Sequence, residues 1–162
     1  MRKLIAATLG ALCVLALLGS PASAEKQSTQ QRWLVLTRPG EPTQVVATGT
    51  VNAVGTVVDT LYLFPNGTFD NYATQSFPDG KLYYHGQGTY EITVNPRTCI
   101  GRGDVIGPFE ITGGEGAYTG ATGEGVALIS LTFFFEKTDT GCSQAPSRVY
   151  GVAKATGTLE IP

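Results

Sequence analysis

Histidine and paired thiols are almost missing from this sequence. His85 is the only imidazole, and the three cysteines, Cys13, Cys99 and Cys142, form no C-x-x-C pair. One imidazole and widely spaced thiols provide no transition-metal site of recognised spacing. No metal and no organic cofactor is therefore implied. Charge is scarce as well, at 15% Asp, Glu, Lys and Arg, and no run of Lys or Arg stands out. A chain without a basic cluster is a poor partner for nucleic acid or for an anionic membrane surface. Helical periodicity is absent, and so is any Gly-Lys-Ser/Thr phosphate loop. Glycine is plentiful by contrast, and it is densest from Gly113 to Gly125. A dinucleotide fingerprint needs G-x-G-x-x-G opening a helix. Here Gly114-Glu115-Gly116 meets its next glycine only at Gly120, and the residues that follow are strand-like.

The first 24 residues read as a secretory signal peptide. Arg2 and Lys3 form the charged start, Leu4 to Leu18 the apolar stretch, and Ala22-Ser23-Ala24 the cleavage site. The expected mature chain is residues 25–162, a single secreted domain with no membrane span left after cleavage. Cleavage removes two basic residues and no acid, so nine basic and thirteen acidic residues remain and the net charge is −4. Cys13 leaves with the signal. In an exported chain the remaining pair, Cys99 and Cys142, is expected to form a disulfide closing a loop of 44 residues.

Short β-branched and aromatic runs alternate with turn signals along the rest. Strands are expected at Trp33–Thr37, Gln44–Val51, Gly55–Phe64, Thr68–Phe77, Lys81–Val94, Asp104–Thr112, Val126–Glu136 and Ser147–Glu160, with Glu25–Gln31 frayed. Asn66-Gly67 is the clearest hairpin turn; Asn66-Gly67-Thr68 also fits a glycosylation sequon. The stretch Gly113–Gly125 reads as a turn, a short bent strand and a second turn, with Tyr118 and Ala121 seeking burial. Eight strands with hairpin-length connections predict an all-β fold, an eight-stranded antiparallel up-and-down β-barrel. Closure removes the exposed edges that an open sheet must protect.

Strand alternation sorts the side chains into faces. Val57, Asp59, Leu61 and Leu63 share one face. Tyr83, His85, Gln87, Thr89 and Glu91 share another, opposite a glycine–aromatic face of Tyr84, Gly86, Gly88, Tyr90 and Ile92. Val126–Glu136 is apolar on both faces, so it is covered twice or lends its outer face to a partner.

The run Gly107-Pro108-Phe109-Glu110-Ile111-Thr112-Gly113-Gly114-Glu115-Gly116-Ala117-Tyr118-Thr119-Gly120-Ala121 resembles the strand–turn–strand motif of the allene oxide cyclase barrel family. Plant dirigent proteins carry a similar element, and Gly86-Gln87-Gly88-Thr89-Tyr90 resembles the strand these families place upstream. The likeness spans roughly Gly67 to Leu131, and its glycine motif is moderately specific. It implies an eight-stranded barrel with an apolar cavity, assembled as a homo-oligomer, a trimer in the plant members. The plant cyclases use a glutamate and an asparagine on their first strand, and Trp33–Arg38 has neither. Three functions remain open. The chain binds a small hydrophobic ligand in the lumen, lined by Asp59, Tyr83, His85 and Glu91. Alternatively it is an isomerase or cyclase, with Asp59 or Glu91 as acid or base and His85 assisting. Or it is a structural or cell-surface interaction module with a filled barrel.

Overall fold

The computed structural model describes residues 29–162. The expected signal peptide, residues 1–24, lies outside them. Eight strands follow in order: β1 Thr29–Thr37, β2 Thr43–Thr48, β3 Ala53–Leu63, β4 Thr68–Phe77, β5 Gly80–Asn95, β6 Ile100–Gly116, β7 Gly123–Thr138 and β8 Gly141–Leu159. Each pairs antiparallel with the next, and β1 pairs with β8, so the sheet is a closed barrel. The all-β, eight-stranded antiparallel barrel read from the sequence is the observed fold.

Several boundaries differ, each for a local reason. Thr29–Gln31 is not frayed but belongs to β1. Gln31 is fully buried, and its side chain pairs like backbone: Val51 N–H donates to Gln31 Oε1 at 2.9 Å, and Gln31 Nε2 donates to the Val51 carbonyl at 3.0 Å. A polar residue can be buried when both ends of its amide are satisfied. The first glycines of Gly113–Gly125 continue β6 to Gly116 instead of turning, and the single turn is at Ala117–Gly120. Tyr118 within that turn and Ala121 just after it are buried as expected. The Asn66-Gly67 hairpin forms with Gly67 at φ 80°, the left-handed conformation that glycine adopts without strain.

The barrel is filled unevenly. The lower end carries the β2–β3, β4–β5 and β6–β7 connections, and there Phe77, Leu82, Ile111, Tyr118 and Leu159 pack into one core with Trp33, Tyr84 and Phe109 above them. Phe77 meets Tyr118 edge to face at 6.0 Å, and Trp33 meets Phe109 in the same way at 5.4 Å. Rings this large fit because glycines face them. A Cβ on Gly125 would stand 2.6 Å from the Phe109 ring and 2.3 Å from the Thr156 carbonyl.

The upper end is different. β4 pairs with β5 only as far as Thr89, and β1 pairs with β8 only as far as Gly151. Beyond those points β5–β8 continue as a four-stranded overhang. Its inner face carries Ile92, Val94, Phe133 and Phe135 around Gly101 and Gly103. The Cys99–Cys142 disulfide ties the β5–β6 turn to the β7–β8 hairpin at its tip, as the compartment argument anticipated.

Candidate functional site

The lumen holds a cavity of about 180 Å³ above the aromatic floor of Trp33, Tyr84 and Phe109. It is there because the surrounding strands turn small residues inward: Ala73 from β4, Ala127 from β7, and Gly151, Ala153 and Ala155 from β8. Large residues at these places would have filled it, as they do lower down. Two wider hollows, about 460 Å³ beside Glu91 and about 590 Å³ beside His85, lie on the outer wall against solvent. Of these three hollows among the described residues, the lumenal one is walled by strands on its sides, and a concave apolar wall is what a hydrophobic ligand needs.

The floor shows carbon to this space. Trp33 Nε1, Gln75 Oε1 and Tyr84 Oη are buried with no hydrogen-bond partner. Burial pushes the Tyr84 phenol far above its ordinary range, and the nearby Trp33 indole opposes this only weakly, without the alignment of a hydrogen bond. Above the floor polar side chains join Leu61, Phe69 and Leu131 in the lining. Thr43 donates to Thr37 at 3.4 Å, and Asn71 Nδ2 lies 3.5 Å from Asp59 Oδ2 and 3.3 Å from the Thr60 carbonyl. Among the described residues Asp59 is the one charged residue lining the cavity.

The sequence-derived candidates are thereby separated. Asp59 faces the lumen with Val57 and Leu61. Tyr83, His85 and Glu91 occupy the outer face of β5, so their expected place in the lumenal lining is corrected. The cause is the strand alternation itself: Tyr84 and Gly86 take the inner positions, so their neighbours along β5 face outward. Tyr83 Oη donates to Glu115, which also binds Lys81 Nζ at 2.9 Å. Glu91 stands opposite Asp104, whose carboxylate accepts from Ser130 at 3.0 Å. His85 lies between Asp70, 2.7 Å from Nε2, and Glu110, 3.2 Å from Nδ1, and stacks on Tyr72 at 4.6 Å. Hydrogen bonding to Glu110, then to Asp70, raises its pKa. An acid–base set combining Asp59 with Glu91 or His85 would have to act through the barrel wall. Among the described residues no three His, Cys, Asp or Glu side chains converge as metal ligands.

Sequence reasoning missed Asn71, Thr37, Thr43 and the alanine wall. A signal for two of them was present. Counting outward from the Asn66-Gly67 turn pairs Leu61 with Asn71 and Asp59 with Ala73, as the observed register does.

Comparison of the chain with family models, with curated proteins and with solved structures finds no match.

Proposed function

We propose that this protein is a secreted binding protein that holds a small hydrophobic molecule in the upper half of its barrel. The observation that carries this reading is the strand-walled space of about 180 Å³ above a packed aromatic floor, open at its upper end and bounded by alanines where the lower barrel has rings. An apolar cavity of about 150 Å³ is enough to take up benzene in another protein. A space of this size receives one ring or a segment of chain, and the rest of a longer ligand emerges beneath the overhang. The resemblance to allene oxide cyclases supports the same reading, because that family is built around an apolar lumen. Catalysis is the weaker reading: acid–base chemistry would fall on Asp59 alone, the sole carboxylate lining the cavity. A filled structural barrel is weaker still, because the space above the aromatic floor is left open.

Trp33 supplies the test. It is the only tryptophan in the chain and forms part of the cavity floor. Titration with a series of small apolar molecules is expected to change its emission saturably, and native mass spectrometry is expected to find the same species retained. A flat emission signal across the series, with nothing retained, refutes the reading. A recovered molecule chemically changed from the one added moves the assignment to an isomerase.

Association of copies is part of the proposal. Ile106 and Leu128 are cross-strand partners on the outer wall, each more than half exposed, with Val126 and Val152 nearby. Contiguous exposed apolar residues on a β-sheet support an interface. The subunit number read in the same mass spectrum tests it, and a monomer at micromolar concentration overturns it.

A further inference from the structure

We infer that the lumen selects its ligand by head-group charge, admitting an amphiphile whose head donates a hydrogen bond, an amine or an alcohol, and rejecting a carboxylate, with Asp59 as the selecting residue. The inference rests on the lumenal-binding reading and adds to it the chemistry and direction of the ligand. The cavity floor is apolar, and above it Asp59, Asn71, Thr37 and Thr43 supply the polar groups among Leu61, Phe69 and Leu131. Trp33, Phe109 and the alanines of β7 and β8 present carbon at the bottom, and the polar atoms buried around them are sealed away. An apolar tail belongs there. The head then lies at the mouth or just beyond it, where Asp59 is the one charged side chain lining the cavity among the described residues.

That carboxylate is uncompensated. No Lys, Arg or His among the described residues lies within ion-pair distance of Asp59, whose side-chain hydrogen-bonding contact is the Asn71 amide. Asn71 divides the same amide between Asp59 and the Thr60 carbonyl, so the acid retains acceptor capacity towards the lumen. Arg38, beside Thr37 at the rim, is held by Glu41 at 3.6 Å. Around Gly101 and Gly103 the inner face of the overhang above carries Ile92, Val94, Phe133 and Phe135. A ligand carboxylate seated at this mouth meets a like charge and no counter-charge. An ammonium meets an opposite charge, and a hydroxyl meets a free acceptor. Asp59 is solvent-exposed, so the interaction is screened, and the discrimination is expected to be roughly five- to tenfold rather than absolute.

The test uses three ligands with one tail: decylamine, decanol and decanoate at pH 7.5, below their aggregation concentrations. Trp33 emission and calorimetry report binding. The intact protein is expected to bind the amine and the alcohol, and decanoate roughly tenfold more weakly than the amine. Asp59→Asn, at an exposed position that leaves folding intact, is expected to bring amine and carboxylate within about twofold of each other. Asp104→Asn removes the same charge from the outer wall and is expected to leave the preference unchanged. Equal affinity for decanoate and decylamine in the intact protein overturns the inference while lumenal binding stands. So does a preference that survives Asp59→Asn, or one that Asp104→Asn abolishes equally. Binding of none of the three refutes the lumenal-binding reading and this inference with it.

Discussion

Replacing Ala153 by leucine should stabilise the protein and at the same time close its cavity. Ala153 sits on β8 between Ile129 of β7 and Val35 of β1, and all three line the space above the floor. Leucine adds three carbons to a wall that faces about 180 Å³ of room. At about 0.8 kcal/mol per buried methylene, complete burial would contribute about 2 kcal/mol. The lumen is open upward, so part of the new side chain stays wet, and about 1 kcal/mol is the reasonable expectation. For a domain of this size that is a rise in melting temperature of about 3–5 °C. Urea unfolding followed by Trp33 emission and by circular dichroism measures it, and an unchanged m-value confirms that the native state itself was stabilised. Binding of decanol should fall in the same variant. Val58→Leu, on β3 and pointing outward, is the control and should stay within about 0.5 kcal/mol of the parent. Suppose instead that Ala153→Leu lowered stability by more than about 1 kcal/mol, the usual cost of overpacking. The upper barrel would then be packed already, and the reasoning from the alanine wall would fail.

Tyr84→Phe removes a buried hydroxyl that has no partner, so stability should be unchanged or rise by up to about 1 kcal/mol; a loss larger than that in urea unfolding would mean the oxygen is paired. Replacing both Cys99 and Cys142 by alanine opens a constraint spanning 43 positions and should cost about 2–4 kcal/mol, with new proteolytic cleavage confined to the overhang; cleavage in the lower barrel first would contradict its placement as the less stable end. His85 has a folded-state pKa raised by Glu110 and Asp70, so its contribution is fully present below about pH 6.5, the unfolded value, and is lost as pH rises through the folded value. The stability difference between the parent and His85→Gln should therefore be largest near pH 5.5 and should shrink towards pH 8.5 in urea midpoints; a difference that grows with pH would reverse the assigned sign.

Much of the architecture was legible because it depends on local signals. Asn66-Gly67 demands a tight hairpin, and the observed β4, Thr68–Phe77, begins where that turn ends. Closure followed from the number of strands and the hairpin-length connections. The start of β6 was less legible, since Gly101 and Gly103 fell outside the expected strand Asp104–Thr112. In the barrel they are inner positions beneath Phe133 and Phe135. Glycine carries two meanings in a β-sequence, and only the pairing register tells them apart. The same limit explains the lumen. Alternation put Tyr83, His85 and Glu91 on one face of β5, but it does not say which face turns inward. Chemical interest favoured the polar face, whereas sterics favoured the glycine–aromatic one. For Asp59 the two criteria agree, because Val57 and Leu61 share its face, and Asp59 is the candidate that lines the cavity.

The division of the barrel into a packed lower half and a hollow upper half has a physical logic that bears on function. Eight strands enclose barely enough room for their own side chains. Such a barrel can host a ligand only by leaving large residues out, and leaving them out sacrifices burial. This chain concentrates its rings at the lower end, where Trp33, Phe77, Tyr84, Phe109 and Tyr118 form one cluster, and restrains the upper end by other means. The Cys99–Cys142 bridge joins the overhang above the cavity and not the core below it. A covalent tie lowers the entropy of the unfolded chain without occupying the lumen. Stability is thus supplied where space is free to be filled, and the region that must stay open is held from its rim. If that reasoning holds, Ala153→Leu should recover part of the stability lost on removing the bridge. The two changes together should then leave a barrel close to the parent in urea resistance but unable to bind decanol. Loss of binding in the bridge-free protein with Ala153 retained would show instead that the overhang shapes the site directly.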